Sequence, residues 1–404
     1  MRIVLVLVGI VGALAASAAA QQVGPAVASQ PSSRLAPTLA STLVPGLALT
    51  PHVTPPPSGL QFLCGVQAPY GEWDAVAKFI AGLSSEGYSL SPDGKAAWDR
   101  HAAITTASWA NVQSHYLNRI DAWRKRTIDR RWTTDLAFYP FSGPDAANVF
   151  TFFPDAREYV LIGLEPVGCI PAGLADYTPQ YFGALRRSLD ASLTINFFRT
   201  NDMQRDFGGD NLRGVLPALL FLIARSGNSI SSVTPVTITS DGNVVRERED
   251  VRGETSGVEI QFTTGRRVRR LVYFSLNLQN ARLGRKPGTQ KYLACLPEAD
   301  TLIKSASYLL HRPYFSLVRN TILSRSRLVV EDDSGIPYRF FNQSAWDVRL
   351  HGAYNEPIDL FRNWRQDDLK LAFDSRPDVL PLDFAIGYGH VRGSNLLVAA
   401  RRSR

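Results

Sequence analysis

Apolar residues between positions 72 and 83 recur at threes and fours: Trp73, Val76, Phe79, Ile80 and Leu83. That spacing lays one stripe along a helix. Ser91-Pro92-Asp93 then marks a second helix start, ahead of Trp98. Ser can cap a free backbone N–H, and Pro has none to lose. A further stripe of Trp109, Val112, Tyr116, Ile120 and Trp123 predicts an amphipathic helix over 107–128. Its aromatics read as core. Residues 59–132 are therefore expected to form a helical portion.

The pattern changes at Asp135. Residues 136–139 form a short apolar run, followed by the turn Ser142-Gly143-Pro144-Asp145 and a short helix over 146–153. Residues 159–164 are a second buried strand, ending at Glu165-Pro166. Strand, turn, helix and strand make a βαβ unit, which implies parallel pairing. A helix over 212–224 and a strand over 233–239 follow, and Asp241-Gly242 signals a hairpin. Runs at 258–262 and 271–278 face each other across Gly265. Helices are predicted over 298–310 and 314–324, and a buried strand over 328–330 runs into Glu331-Asp332-Asp333-Ser334. Runs at 384–388 and 396–399 are expected to close the chain as an antiparallel hairpin. The fold class implied is α/β: a Rossmann-like, mainly parallel core over 133–404, with a helical N-terminal portion and a C-terminal antiparallel hairpin.

The N-terminus adds an address. Arg2 precedes an uncharged run over 3–20 that ends in Ala18-Ala19-Ala20, the small-residue pattern of a signal-peptide cleavage site. Cleavage near Ala20 would export the protein to the periplasm or medium. Residues 21–58 contain eight prolines and one charged residue, Arg34, so a disordered Pro/Ala/Ser linker is expected there. No segment of the mature chain reads as a transmembrane helix. The most apolar, 215–224, contains Pro217 and is too short.

Composition is ordinary for a globular domain, with a net charge of +8. Basic residues cluster at Arg124-Lys125-Arg126, Arg130-Arg131 and Arg266-Arg267-Val268-Arg269-Arg270. In an exported protein these read as a solvated face or a contact with an anionic surface, and nucleic acid is not an expected partner. Cys64, Cys169 and Cys295 allow one disulfide and a thiol, or three thiols, and spacing does not choose.

Ligands of open parallel sheets bind beyond the carboxyl ends of the strands. The turn Ser142, Gly143 and Asp145 and the strand-end Glu165 stand there, so these four are the candidate ligand-binding residues. Turn backbone N–H groups suit an anion or hydroxyl, and a strand-end carboxylate accepts from sugar hydroxyls. Asp332, Asp333 and His351 are the catalytic candidates, for hydrolysis by paired carboxylates. Successive strand residues point to opposite faces, so three acids in a row cannot all converge. Neither a metal site nor a cofactor is expected: no H-E-x-x-H, G-x-S-x-G or full G-x-G-x-x-G occurs.

Several segments resemble an uncharacterised group of exported bacterial proteins: Tyr139-Pro140-Phe141-Ser142-Gly143-Pro144-Asp145, Leu161-Ile162-Gly163-Leu164-Glu165-Pro166, Asp332-Asp333-Ser334-Gly335-Ile336-Pro337-Tyr338 and Gly352-Ala353-Tyr354-Asn355-Glu356-Pro357-Ile358. That resemblance covers most of 59–404 and brings no activity with it. The order of elements is also similar to class I methyltransferases. It implies that the 142–145 turn stands at their glycine-rich loop and Glu165 at their ribose-holding acid. The turn has one glycine, and Tyr139-Pro140 replaces their usual acid, so the likeness implies the fold rather than methyl transfer. The expectation is an exported envelope protein that binds a small ligand or a protein partner. An exported hydrolase is the alternative.

Overall fold

A computed structural model describes residues 72–402, apart from 172–173, 199–206, 208–211, 249, 252 and 392. The described residues all belong to one compact unit, Leu60–Arg404. The expected signal peptide and linker lie outside them.

Helix α1 (Glu72–Ile80) is followed by α2 (Pro92–Val112), which runs through a π-helical turn into α3 (Asn118–Thr127). Ser91 caps α2, its Oγ accepting from Gly94 N–H at 3.1 Å. The two helices expected over 92–128 are thus one rod, because no Gly or Pro interrupts 95–127. The βαβ unit is present as β1 (Leu136–Tyr139), α4 (Ala146–Phe152) and β2 (Glu158–Gly163), with β1 and β2 parallel.

Helices α5 (Thr178–Ile195) and α6 (Leu216–Arg225) come next. Leu216 to Ala224 are all buried, so the most apolar segment is a core helix. No helix among the described residues is long and apolar enough to cross a membrane. Strands β3 (Ser229–Thr239), β4 (Val244–Arg246), β5 (Gly253–Thr264) and β6 (Arg267–Ser275) follow, then short helices α7 (Asn280–Leu283) and α8 (Pro287–Ala294). The last elements are β7 (Ala299–Ile303), α9 (Ser316–Arg325), β8 (Ser326–Glu331), β9 (Trp346–Gly352), α10 (Asp367–Ser375) and β10 (Asn395–Arg401).

All ten strands form one sheet in the order β4-β3-β5-β6-β2-β1-β7-β8-β10-β9. The five central strands, β6 to β8 in that order, are parallel. The five flanking pairings are antiparallel. The fold is α/β, but the sheet is mixed instead of mainly parallel. The cause is local: tight turns at Gly242 (φ 88°) and Gly265 (φ 59°) can join only antiparallel neighbours.

Two further expectations are corrected. Residues 299–303 are a central strand, not the start of a helix. All five are buried, and a run this short carries no decisive period. Residues 384–388 are not a hairpin partner for β10, which pairs with β8 and β9. The backbone of Ile386 is instead bound at both its N–H and its C=O by the Ser394 hydroxyl.

Alternate residues of each central strand enter two cores. Ala137 and Tyr139 pack with α1 to α6, while Leu136 and Phe138 face α8, α9 and α10. The result is a helix–sheet–helix sandwich with both faces of the parallel strands covered.

Candidate functional site

The polar side chains of interest gather at the carboxyl ends of β1, β2, β7 and β8. The turn after β1 is held against β2. Ser142 N–H donates to Ile162 C=O at 2.9 Å, and the Ser142 hydroxyl donates to Gly143 C=O at 2.9 Å. A Cβ at Gly163 would lie 2.9 Å from Gly143 Cα and 2.5 Å from Tyr273 Oη, so only glycine permits this approach. Ser142 and Gly143 therefore shape the turn.

Asp145 caps α4, accepting from Asn148 N–H at 3.4 Å and from Asn148 Nδ2 at 2.9 Å. It also accepts from Tyr139 Oη at 3.0 Å. Its strongest partner is Lys304, just past the end of β7, at 2.8 Å, with both side chains no more than 2% exposed. Lys304 also donates to Asn196 C=O, and the side-chain amides of Asn148 and Asn196 bond each other at 2.9 and 3.1 Å. Asp145 is the hub of a closed buried network that occupies the crevice between β1 and β7. Burial and the Asp145 charge hold the Tyr139 hydroxyl well above its ordinary pKa.

Glu165 differs. It is 3% exposed, and among the described residues neither carboxylate oxygen has a hydrogen-bond partner. Burial raises its pKa and outweighs the opposing effect of the Glu165 and Leu164 backbone N–H groups. Its own backbone C=O accepts from Tyr273 Oη at 2.9 Å, which fixes the residue without satisfying the acid.

The three acids after β8 diverge, as the strand period requires. Glu331 Oε2 turns back to Ile336 N–H at 2.8 Å. Asp332 accepts from Ser305 N–H at 2.9 Å and from Ser334 N–H at 3.0 Å, as well as from the Ser334 hydroxyl. Asp333 accepts from Tyr308 Oη and from Asn395 Nδ2. Burial, then the Asp332 charge, raises Asp333 to about 7. Asp333 lines a small cleft with Tyr308, Asn355, Glu356, Tyr388 and Asn395, and neither Glu331 nor Asp332 belongs to it.

His351 lies elsewhere, on β9. Its Nδ1 accepts from Trp123 Nε1 at 3.3 Å, and burial lowers its pKa to about 4. It is a neutral core histidine beneath α3, not a partner of the acids. Among the described residues, no group of three or more His, Cys, Asp or Glu could hold a metal. Cys169 is disulfide-bonded and Cys295 is free and exposed, while Cys64 lies outside the described residues.

The basic clusters are largely balanced in place. Arg124 and Lys125 pair with Asp121, Arg131 with Asp129, Arg267 with Asp155, and Arg270 with Glu158 and Glu259. Arg269 is buried against Tyr159 Oη.

Sequence reasoning missed Lys304, Tyr308, Asn196 and Asn395. The available signal was Lys304 directly after an apolar pair, Leu302-Ile303. Reading that run as a strand would have placed a lysine at a strand end. Backbone strain marks the same end of the sheet. Phe141, Asn196, Arg213, Ser305, Ser307 and Tyr308 adopt φ between 53° and 62°, a conformation non-glycine residues hold at a cost and often at functional sites. No protein-family model, no curated protein and no solved structure matches this chain.

Proposed function

We propose that this is an exported protein with a Rossmann-like core that binds a small hydroxyl-bearing ligand at the strand ends, with Glu165 as its anchor. The carrying observation is that Glu165 is a buried carboxylate with both oxygens unpartnered among the described residues, whereas Asp145, Asp332 and Asp333 each accept hydrogen bonds. Two vicinal hydroxyls would supply the missing donors. Keeping such a group without donors costs stability.

The sheet supports the scaffold half of this reading. In chain order, its five parallel strands lie third, second, first, fourth and fifth, as in doubly wound dinucleotide-binding sheets. Antiparallel β10 lies between β8 and β9, which is similar to the terminal hairpin of class I methyltransferases. The residues of the first turn do not fit the S-adenosylmethionine of those enzymes. Backbone N–H groups of Ser142, Asp145 and Ala146 are bonded to Ile162, Ser142 and Pro144, and Asp145 is held by Lys304. Hydrolysis by an acidic pair has less support, since Asp332 accepts from Ser305 and Ser334 and is not in the lining of the cleft that Asp333 enters.

Thermal unfolding of the purified protein with ribose, hexoses, nucleosides and glycerol head groups tests the reading. A ligand at 100 times its dissociation constant adds about 2.7 kcal/mol. The expected result is a shift with one vicinal-diol compound that disappears in Glu165→Gln. The unliganded variant should be at least as stable as the parent. A shift that survives in Glu165→Gln, or no shift with any diol, overturns the proposal.

A further inference from the structure

We propose that the cleft at the end of β8 binds a compact ammonium group, the head of a small primary amine. The cleft is about 10 Å³, room for about one water-sized group. A ring or a phosphate does not fit, and an ammonium head does. The polar residues that line it are Asp333, Glu356, Asn355, Asn395, Tyr308 and Tyr388. No lysine or arginine lines it among the described residues.

An ammonium brings three donors and no acceptor, which matches this lining. The Asp333 oxygens accept from Tyr308 and Asn395, and each carboxylate oxygen keeps a second lone pair. The walls are fixed in advance: Tyr388 Oη is bonded to the Ser307 hydroxyl at 2.8 Å and to Ser305 C=O at 2.9 Å. Phe361 stands between the tyrosines, with ring centroids 5.2 Å from Tyr308 and 5.0 Å from Tyr388. Glu356 sits at the rim, 63% exposed, and is steadied by Arg365 at 2.6 Å. A neutral hydroxyl of the same size forfeits the charge-assisted bonds, and an anion is repelled.

This site stands apart from Glu165. In the sheet, β1 and β7 separate β2 from β8, and neither inference depends on the other.

Calorimetric titration of the full chain with ethylammonium and with ethanol at pH 8.5, above the Asp333 value of about 7, and low salt separates charge from size. Ethylammonium should bind and ethanol should not. Asp333→Asn should weaken the amine by about tenfold or more, the worth of a charge-assisted bond. Glu356→Gln should weaken it by about threefold at low salt, with the difference lost at high salt. The exposed Glu356 keeps the test open if the buried variant fails to fold. Equal binding of amine and alcohol, no binding of either (a water site only), or unchanged affinity in Glu356→Gln at low salt overturns the proposal.

Discussion

Lys304 and Asp145 show how much a pair of side chains can hold. Both are buried, and among the described residues each is the other's only opposite charge at bonding distance. Removing one partner of such a pair leaves an uncompensated charge, at a cost of about 3–5 kcal/mol. Lys304→Met should therefore lower stability by that amount in urea unfolding. Combining it with Asp145→Asn should cost less than the sum of the two single changes, because the double variant leaves no buried charge behind. The cap role of Asp145 was legible in Ser-Gly-Pro-Asp before a helix. Its lysine partner was not, since Lys304 lies inside 298–310, a stretch read as a helix although its short apolar run carries no decisive period.

At the scale of elements, β2 and the turn after β1 depend on one glycine. Gly163→Ala would set a methyl against Tyr273 Oη at 2.5 Å and Gly143 Cα at 2.9 Å. Overpacking of this kind costs about 1–3 kcal/mol. The expected result is a lower urea midpoint together with faster amide exchange at Ser142, whose N–H bonds β2. An unchanged exchange rate would mean that the turn does not depend on this approach. The elements read correctly from sequence are those with strong local signals: β1, α4, β2 and the hairpins at Gly242 and Gly265. Strand β7 was misread because Asp300 and Thr301 interrupt its apolar run. Both are buried, and Asp300 accepts Thr134 N–H at 2.8 Å, a partner far away in the chain.

For the whole molecule, buried acids set the response to pH. Burial raises Asp300 to about 8 and Asp333 to about 7. A carboxyl whose pKa is raised on folding binds its proton more tightly when folded, so stability falls as pH rises through that folded value. His101, His311 and His351 are lowered by burial to about 4. Their contribution has the opposite sense: it is lost as pH falls below about 6.5 and is complete above it. Between pH 7 and 8.5 the acids alone remain. Stability should drop there by an amount on the order of 1 kcal/mol, read as a lower urea midpoint at pH 8.5. Asp300→Asn should flatten part of that slope, the rest belonging to Asp333 and to the other buried acids Glu331 and Asp332, and a slope unchanged in the variant would remove Asp300 as a source.

Interactions within a few residues of one another left their mark in the chain itself. Apolar spacing, caps and turn residues were enough for the helical portion, the βαβ unit, the hairpins and the rule that Glu331, Asp332 and Asp333 cannot converge. Contacts between distant segments left no such mark. The mixed sheet, the pairing of β10 with β8 and β9, the lysine that meets Asp145, the donors that Glu165 lacks and the tyrosines beside Asp333 all arise only when the chain has packed. Burial then decides which polar groups are satisfied and which remain to be.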